Sequence, residues 1–411
     1  MSAAAVPSSA TVPASRLSPS VRAVVIPFVL FGMYASFGAA WMSVVPLFPE
    51  LKEALHVDAA DAAWLVTIVS LVKSFVPILA GLFAARVGLT SSMRVAAMLI
   101  AVAVVVPWLP GWGAQVAARF VFGAGGAMWL ALMGAVVVDV VDANRRGFVN
   151  AMNGVAVNTG AIVGLKTALP LKDALGHQGA LTVLSTGTVV FAVLVFVCGP
   201  LTTSATTAAQ KTPLADVGRA YLRVLGEKTT WVVAAAFAGP LALYLVMNTW
   251  LPTHLQAVFG MTRPEAASWL STMNLWGIPA SLAIGVMLQR NIGAVRMHIV
   301  VGAILLPLGV YGALTADAAL RPVVFGIAGV GMFLPVAPLV TLLQRQAGMT
   351  AAKVGMVMGT MGSVTYVVSS VAPNVVGHFV ATGTAIDALL VPCCLLGLTP
   401  VVALLLPEPR A

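Results

Sequence analysis

Three cations fall inside long apolar stretches: Lys73, Arg119 and Lys166. A cation at the centre of a bilayer costs about 2.5–3.5 kcal/mol on insertion scales, so such a group normally faces water, a partner or a ligand. Lys73 lies about twelve residues, roughly 18 Å, from the start of its stretch, too deep for its stem to reach an interface. Arg119 is little more than one turn inside its stretch, where bonding helix ends is the competing role. Lys166 is within snorkelling reach of an end. No Asp or Glu occupies the middle of any apolar stretch. Cations without carboxylates make a positive interior, which attracts an anion and repels a cation. Neutral groups supply the remaining chemistry: Tyr34 and Trp41, Asn158, Tyr244 and Asn248, and Asn274. Ser363, Tyr366, Ser370 and Asn374 follow i, i+3, i+7 and i+11, one face of a helix. Polar stripes also glue membrane helices together, and both roles stay open. Trp250, near a stretch end, reads as an interfacial anchor.

These residues need a membrane to sit in. The chain is 60% hydrophobic and 9% charged, whereas a soluble domain is about a quarter charged, so a soluble enzyme is excluded. The net charge of +9 sits in short loops between apolar runs, where it orients a membrane protein rather than binding nucleic acid. About 20 apolar residues span a bilayer, and twelve segments qualify. They lie near 23–48, 60–83, 93–110, 113–138, 147–170 and 179–200, then 230–253, 265–288, 296–315, 320–343, 353–379 and 383–406. The division is therefore a disordered tail 1–22, a six-helix bundle 23–200, a linker 201–229, a second bundle 230–406 and a tail 407–411. In the linker, Leu214, Val217, Tyr221, Leu222 and Leu225 predict an amphipathic surface helix.

Of the 22 cations, only Lys52, Lys172, Arg263 and Arg321 fall on the side where most acids gather, and the other loop cations share the opposite side. The positive-inside rule then places both termini in the cytoplasm. His56, His177, His254 and His378 fall near outer ends and His298 near an inner one, scattered and expected to be solvated. The three cysteines lack metal spacing, and no nucleophile stands beside a base. Neither a metal, a cofactor nor an enzyme activity is expected.

The loop after the second segment reads Gly81-Leu-Phe-Ala-Ala-Arg86-Val-Gly88, and a variant returns after the eighth as Gly285-Val-Met-Leu-Gln289-Arg290-Asn-Ile-Gly293. It resembles the Gly-x-x-x-Asp-Arg-x-Gly signature of the major facilitator superfamily, with Ala85 and Gln289 in place of the acid and Gly293 one position late. The fourth segment, Arg119-Phe-Val-Phe-Gly123-Ala-Gly125-Gly126-Ala127, is similar to that family's Arg-x-x-x-Gly-x-Gly-x-Ala pattern. The resemblance implies an all-α integral membrane fold: twelve transmembrane helices in two pseudo-symmetric six-helix bundles, with a solute held between them near the midplane. It also implies that helices 1, 4, 7 and 10 line the cavity and that 2, 5, 8 and 11 flank it. Gly81, Arg86, Gly88, Asp139 and Arg290 become gating candidates, Arg86 with Asp139 as the latch. The pattern is nearest to the carriers of cyanate, nitrate or carboxylates. Nitrate carriers place a cation on both helix 2 and helix 8; here the position matching Lys73 is Gly277.

The resulting reading is a secondary transporter working by alternating access, for a small organic or inorganic anion, by proton symport or anion exchange. Lys73, Arg119, Lys166 and the neutral groups above form the expected binding set. Its partners are the solute and the bilayer, as a monomer in a bacterial inner membrane. An efflux carrier for neutral or amphipathic compounds and a non-transporting receptor stay open beside it. Pro77, Pro279 and Pro335 fall within helices and each removes a backbone hydrogen bond, as a static kink or as a bending point for alternating access.

Overall fold

The computed structural model describes residues 18–141, 143–199, 201, 219, 222–290, 292–347, 349 and 351–407. Nine helices among them are long and apolar enough to cross a membrane. One of these contains two passes, and two further passes consist of shorter apolar pieces, which gives twelve. In the first half α1 is Pro19–Met42, α2 comprises Ala59–Val72 and Val76–Val87, α3 is Leu89–Ala101 and α4 is Trp112–Val140. A short helix, Phe48–Leu55, joins α1 to α2. α5 and α6 are the two arms, 143–175 and 177–197, of one helical run that turns at Gly176 with φ 72°. In the second half α7 is Lys228–Phe259, α8 Arg263–Gln289, α9 Val295–Thr315 and α11 Ala351–Ala381. α10 comprises Arg321–Phe333 and Val336–Gln344, and α12 runs from Ile386 to Cys393, continued by a tight 3-10 stretch to Leu405. Most of the expected linker helix lies outside the described residues; Leu222, in its helical end, is exposed.

Two passes are broken, and proline chemistry explains both. Pro77 has no N–H to offer the carbonyl of Lys73 four residues back, and α2 is interrupted at Lys73–Phe75. Pro335 likewise withholds a bond from Gly331, and α10 breaks at Leu334 and Pro335. Pro279 stays within an unbroken α8.

Small residues let the helices touch backbone to backbone, as membrane bundles require. A Cβ on Gly160 would overlap the Ala35 carbonyl, and one on Gly164 the Ala39 carbonyl, so α5 lies directly on α1. The glycines of the fourth-segment motif each meet a different neighbour: Gly123 the backbone of Val69 on α2, Gly125 the backbone of Ala96 and Ile100 on α3, Gly126 the ring of Phe37 on α1. The motif is thus the packing hub of the first half. Gly88 has open space around its would-be Cβ but φ 87°. Its need for glycine is the left-handed turn ending α2, not a close contact. Gly293, with φ 75°, ends the second loop in the same way. The halves join where α2 packs on α11 and where α8 packs on the α5–α6 run.

Candidate functional site

Lys73 ends the first piece of α2 and is only 3% exposed. Its Nζ lies 4.2 Å from the ring centre of Trp41, 5.0 Å from Phe37, 5.6 Å from Tyr366 and 6.0 Å from Tyr34. Ring faces carry negative potential and attract an ammonium. Among the described residues no carboxylate pairs with it. The cage is rigid: Trp41 donates its indole N–H to the Val66 carbonyl at 2.9 Å, and Phe37 stacks between Tyr34 and Phe122. Three rings come from α1 and one, Tyr366, from α11 across the seam. Phe37 was not among the sequence candidates, although its spacing between Tyr34 and Trp41 puts all three on one helical face.

Arg119 is buried but points elsewhere. Its Nη2 donates to the Trp41 carbonyl at 2.9 Å and its guanidinium lies over Phe122, beside a small cavity lined by Gln115 and Ser185. It staples α4 to the end of α1 inside the first half. Lys166 stands exposed on α5 and is not brought to Lys73.

The neutral candidates form a chain of bonds across the seam. Tyr244 donates its hydroxyl to Asn158 Oδ1 at 3.0 Å, Asn248 Nδ2 donates to the Tyr244 carbonyl at 2.8 Å, and Asn274 Nδ2 donates to Asn248 Oδ1 at 2.8 Å. Because a carbonyl only accepts, this chain fixes the orientation of both amides. Tyr34 on α1 and Tyr366 on α11 flank the Lys73 ammonium, and Tyr244 on α7 bonds Asn158 on α5. The α11 stripe divides: Ser363 and Ser370 bond carbonyls of their own helix, whereas Asn374 Nδ2 reaches Thr67 Oγ1 on α2 at 2.8 Å.

Farther along the seam lies an ion cluster. Arg263, at the start of α8, donates from Nη1 to Glu50 Oε1 at 2.8 Å and from Nη2 to Oε2 at 2.7 Å, and also to the Pro46 carbonyl at 2.6 Å. Lys172 lies 3.5 Å from Glu50 and 2.9 Å from Asp173. Burial would raise the Glu50 carboxyl, but the Arg263 bonds outweigh it and hold the group below its ordinary value. Trp250 is not an interfacial anchor: it is 3% exposed, donates to the Pro373 carbonyl and packs on Phe48. Its apolar ring fills the seam while its one N–H is satisfied. A cleft of about 610 Å³ opens beside it, lined by Lys52, Gln256 and Arg263 among others. Two histidines also depart from expectation. His254 is buried against the Leu314 carbonyl at 2.9 Å, and His298 is buried at the start of α9. Arg86 and Arg290 are exposed at the opposite end, where Lys353 pairs with Glu227 at 2.8 Å. The Asp139 side chain, the expected partner of Arg86, lies outside the described residues.

Twelve passes in two halves, meeting around a buried polar centre, define a membrane transporter of the alternating-access kind. The chain belongs to the Major Facilitator Superfamily, whose profile matches residues 30–373. It is accordingly a multi-pass secondary transporter of small solutes and not an enzyme. Its fold is similar to that of a bacterial homologue of the human lysosomal transporter Spinster, solved inward-facing and unoccupied, at TM-score 0.69 and 12% identity over 94% of each chain. A variant of the E. coli fucose:proton symporter FucP matches at TM-score 0.64 and 14% identity, over 93% of this chain and 99% of that one. No curated protein sequence matches significantly.

Proposed function

We propose that the chain transports a small anion, by proton symport or anion exchange, with Lys73 as its charge anchor. The observation that carries this is the buried Lys73 ammonium at the α2 break, walled by rings from both halves and unpaired with any carboxylate among the described residues. A buried charge without a partner is costly, and a solute anion supplies the missing partner at the place where the halves meet. Lys73, Tyr34, Trp41, Tyr366 and Tyr244 with Asn158 make up the central site; Asn274 ties α8 to α7 through Asn248. Arg119 serves as a staple, and Lys166 lies outside the site. Both termini face the cytoplasm, which makes the Glu50 end the outer one and the Arg86 loop the inner one, in a bacterial inner membrane with a monomer as the working unit. The halves are then bonded together on the outside, and Arg86 remains the inner gating cation.

Flux into proteoliposomes tests the reading. A panel of small anions competes for uptake, and Lys73→Ala abolishes it in protein that keeps its thermal midpoint. Carriage of cationic dyes that Lys73→Ala leaves untouched would sink the anion reading and favour efflux of neutral or amphipathic compounds.

A further inference from the structure

We infer that the solute is a monovalent anion with a flat, ring-sized apolar body, such as an aryl carboxylate. The inference rests on the proposed anion site and narrows it by charge and by shape.

The charge argument is a count of cations that reach the seam. Arg119 is committed to the Trp41 carbonyl and the Phe122 ring inside the first half. Lys166 is exposed on α5, and Gly277, the position matching Lys73 in the second half, has no side chain. Lys52 lines the cleft at the far end of the seam, away from the centre, and there Arg263 and Lys172 are already neutralised by Glu50 and Asp173. Among the described residues, one ammonium therefore serves the centre. A second negative charge on the solute would enter a low-dielectric site with no cation to meet it, which is strongly disfavoured.

The shape argument comes from the walls. The ammonium is enclosed by Trp41, Phe37, Tyr366 and Tyr34, and Tyr244 with Phe333 edge-on at 5.9 Å continues the aromatic surface into the second half. A carboxylate reaching the Lys73 N–H donors must bring its body against these rings. Inorganic anions offer the rings nothing, whereas a flat apolar body gains offset or edge contacts. Tyr366 is the cage ring that belongs to α11, so a body seated there touches both halves at once.

The experiment is competition against flux in proteoliposomes of the full chain, with four anions: benzoate, acetate, nitrate and phthalate. Benzoate is expected to compete about tenfold better than acetate or nitrate, the size of a good aromatic contact, and phthalate at least tenfold worse than benzoate. Trp41→Leu is expected to bring the ratio of benzoate to acetate competition close to one. Should that variant fail to fold, Tyr366→Leu asks the same question from α11. Equal competition by nitrate and benzoate, or by phthalate and benzoate, overturns the inference but leaves the anion site standing. Competition by none of the four, with transport of cations intact, instead overturns the anion reading beneath it.

Discussion

The bond between Arg263 and Glu50 offers the sharpest test of how the halves are held. Glu50→Gln keeps the side-chain shape, removes the charge and replaces one accepting oxygen by a donating NH2 group. Charge-assisted hydrogen bonds contribute about 1.5–3 kcal/mol each, but fully exposed ion pairs contribute about 0–1 kcal/mol. Here the two side chains are 29% and 21% exposed, so about 2 kcal/mol for the fork is a fair value, already discounted for solvent. At 1.4 kcal/mol per decade that shifts the equilibrium between the joined and parted Glu50 ends by roughly 30-fold. Spin labels at Ala54→Cys and Ala257→Cys, with Cys198, Cys393 and Cys394 replaced by serine, report the separation across this end. The long-distance population is expected to grow by that ratio in Glu50→Gln. Adding Arg263→Gln is expected to add only the loss of its bond to the Pro46 carbonyl, because the fork to Glu50 is already gone. The pH dependence has a definite sign. The joined state holds Glu50 below its ordinary 4.5, so it binds fewer protons than the parted state. The latch is at full strength above 4.5 and weakens as pH falls through the lowered value. Wild type then approaches the Gln variant in acid, while that variant is flat. A shift under threefold in folded protein, or fully additive single effects, would refute the latch.

Other outcomes follow from particular contacts. Gly160→Ala drives a methyl into the Ala35 carbonyl and is expected to lose about 1–3 kcal/mol by overpacking, read as a lower thermal midpoint. Gly134→Ala, on α4 with open space around it, is expected to gain up to about 1 kcal/mol instead. Pro77→Ala restores the N–H for the Lys73 carbonyl; flux falls while the thermal midpoint holds or rises, and unchanged flux would show that the α2 break is passive. Tyr244→Phe strands Asn158 Oδ1 and is expected to cost about 1–3 kcal/mol, visible in the same melting experiment.

Much of the fold was legible because bilayers impose simple rules. Length and apolarity place the passes, and the Gly81–Gly88 loop with its second copy marks the duplication. What local pattern could not supply was which neighbour each residue meets. Arg119 and Lys73 look alike as buried cations, yet one faces the Trp41 carbonyl inside its own half and the other a cage completed from α11. Nothing in the sequence spacing encodes that difference, since it depends on the rotation of α4 and α2 in the bundle. The aromatic cage was half legible: Tyr34 and Trp41 were visible, but Phe37 passes for ordinary core until Lys73 is set beside it. The Glu50–Arg263 fork joins residues 213 positions apart, beyond any local pattern. The Asn158 bond to Tyr244 spans 86 positions and was hidden for the same reason.

A duplicated fold need not give a duplicated site, and here the two halves have divided the work. At Gly277, the match of Lys73, a Cβ would overlap the Phe333 ring, which in turn packs edge-on to Tyr244. The second half thus fills with an aromatic wall the volume that the first half gives to a charge. Pro77 opens α2 beside that charge, whereas Pro335 opens α10, whose counterpart α4 runs unbroken. On the proposed anion site, a solute seated on Lys73 would pull on one half by charge and press on the other through Tyr366 and Tyr244. Rocking of the halves alters the second contact far more than the first. Charge recognition and access are on this account set by different residues: Lys73 for the charge of the anion, Tyr366 for the response of the second half. Tyr366→Phe, which keeps the ring and drops the hydroxyl, is then expected to leave exchange intact. Tyr366→Ala is expected to slow exchange while Lys73 still binds the anion in a thermal-shift titration, and loss of binding in both variants would show that the division does not exist.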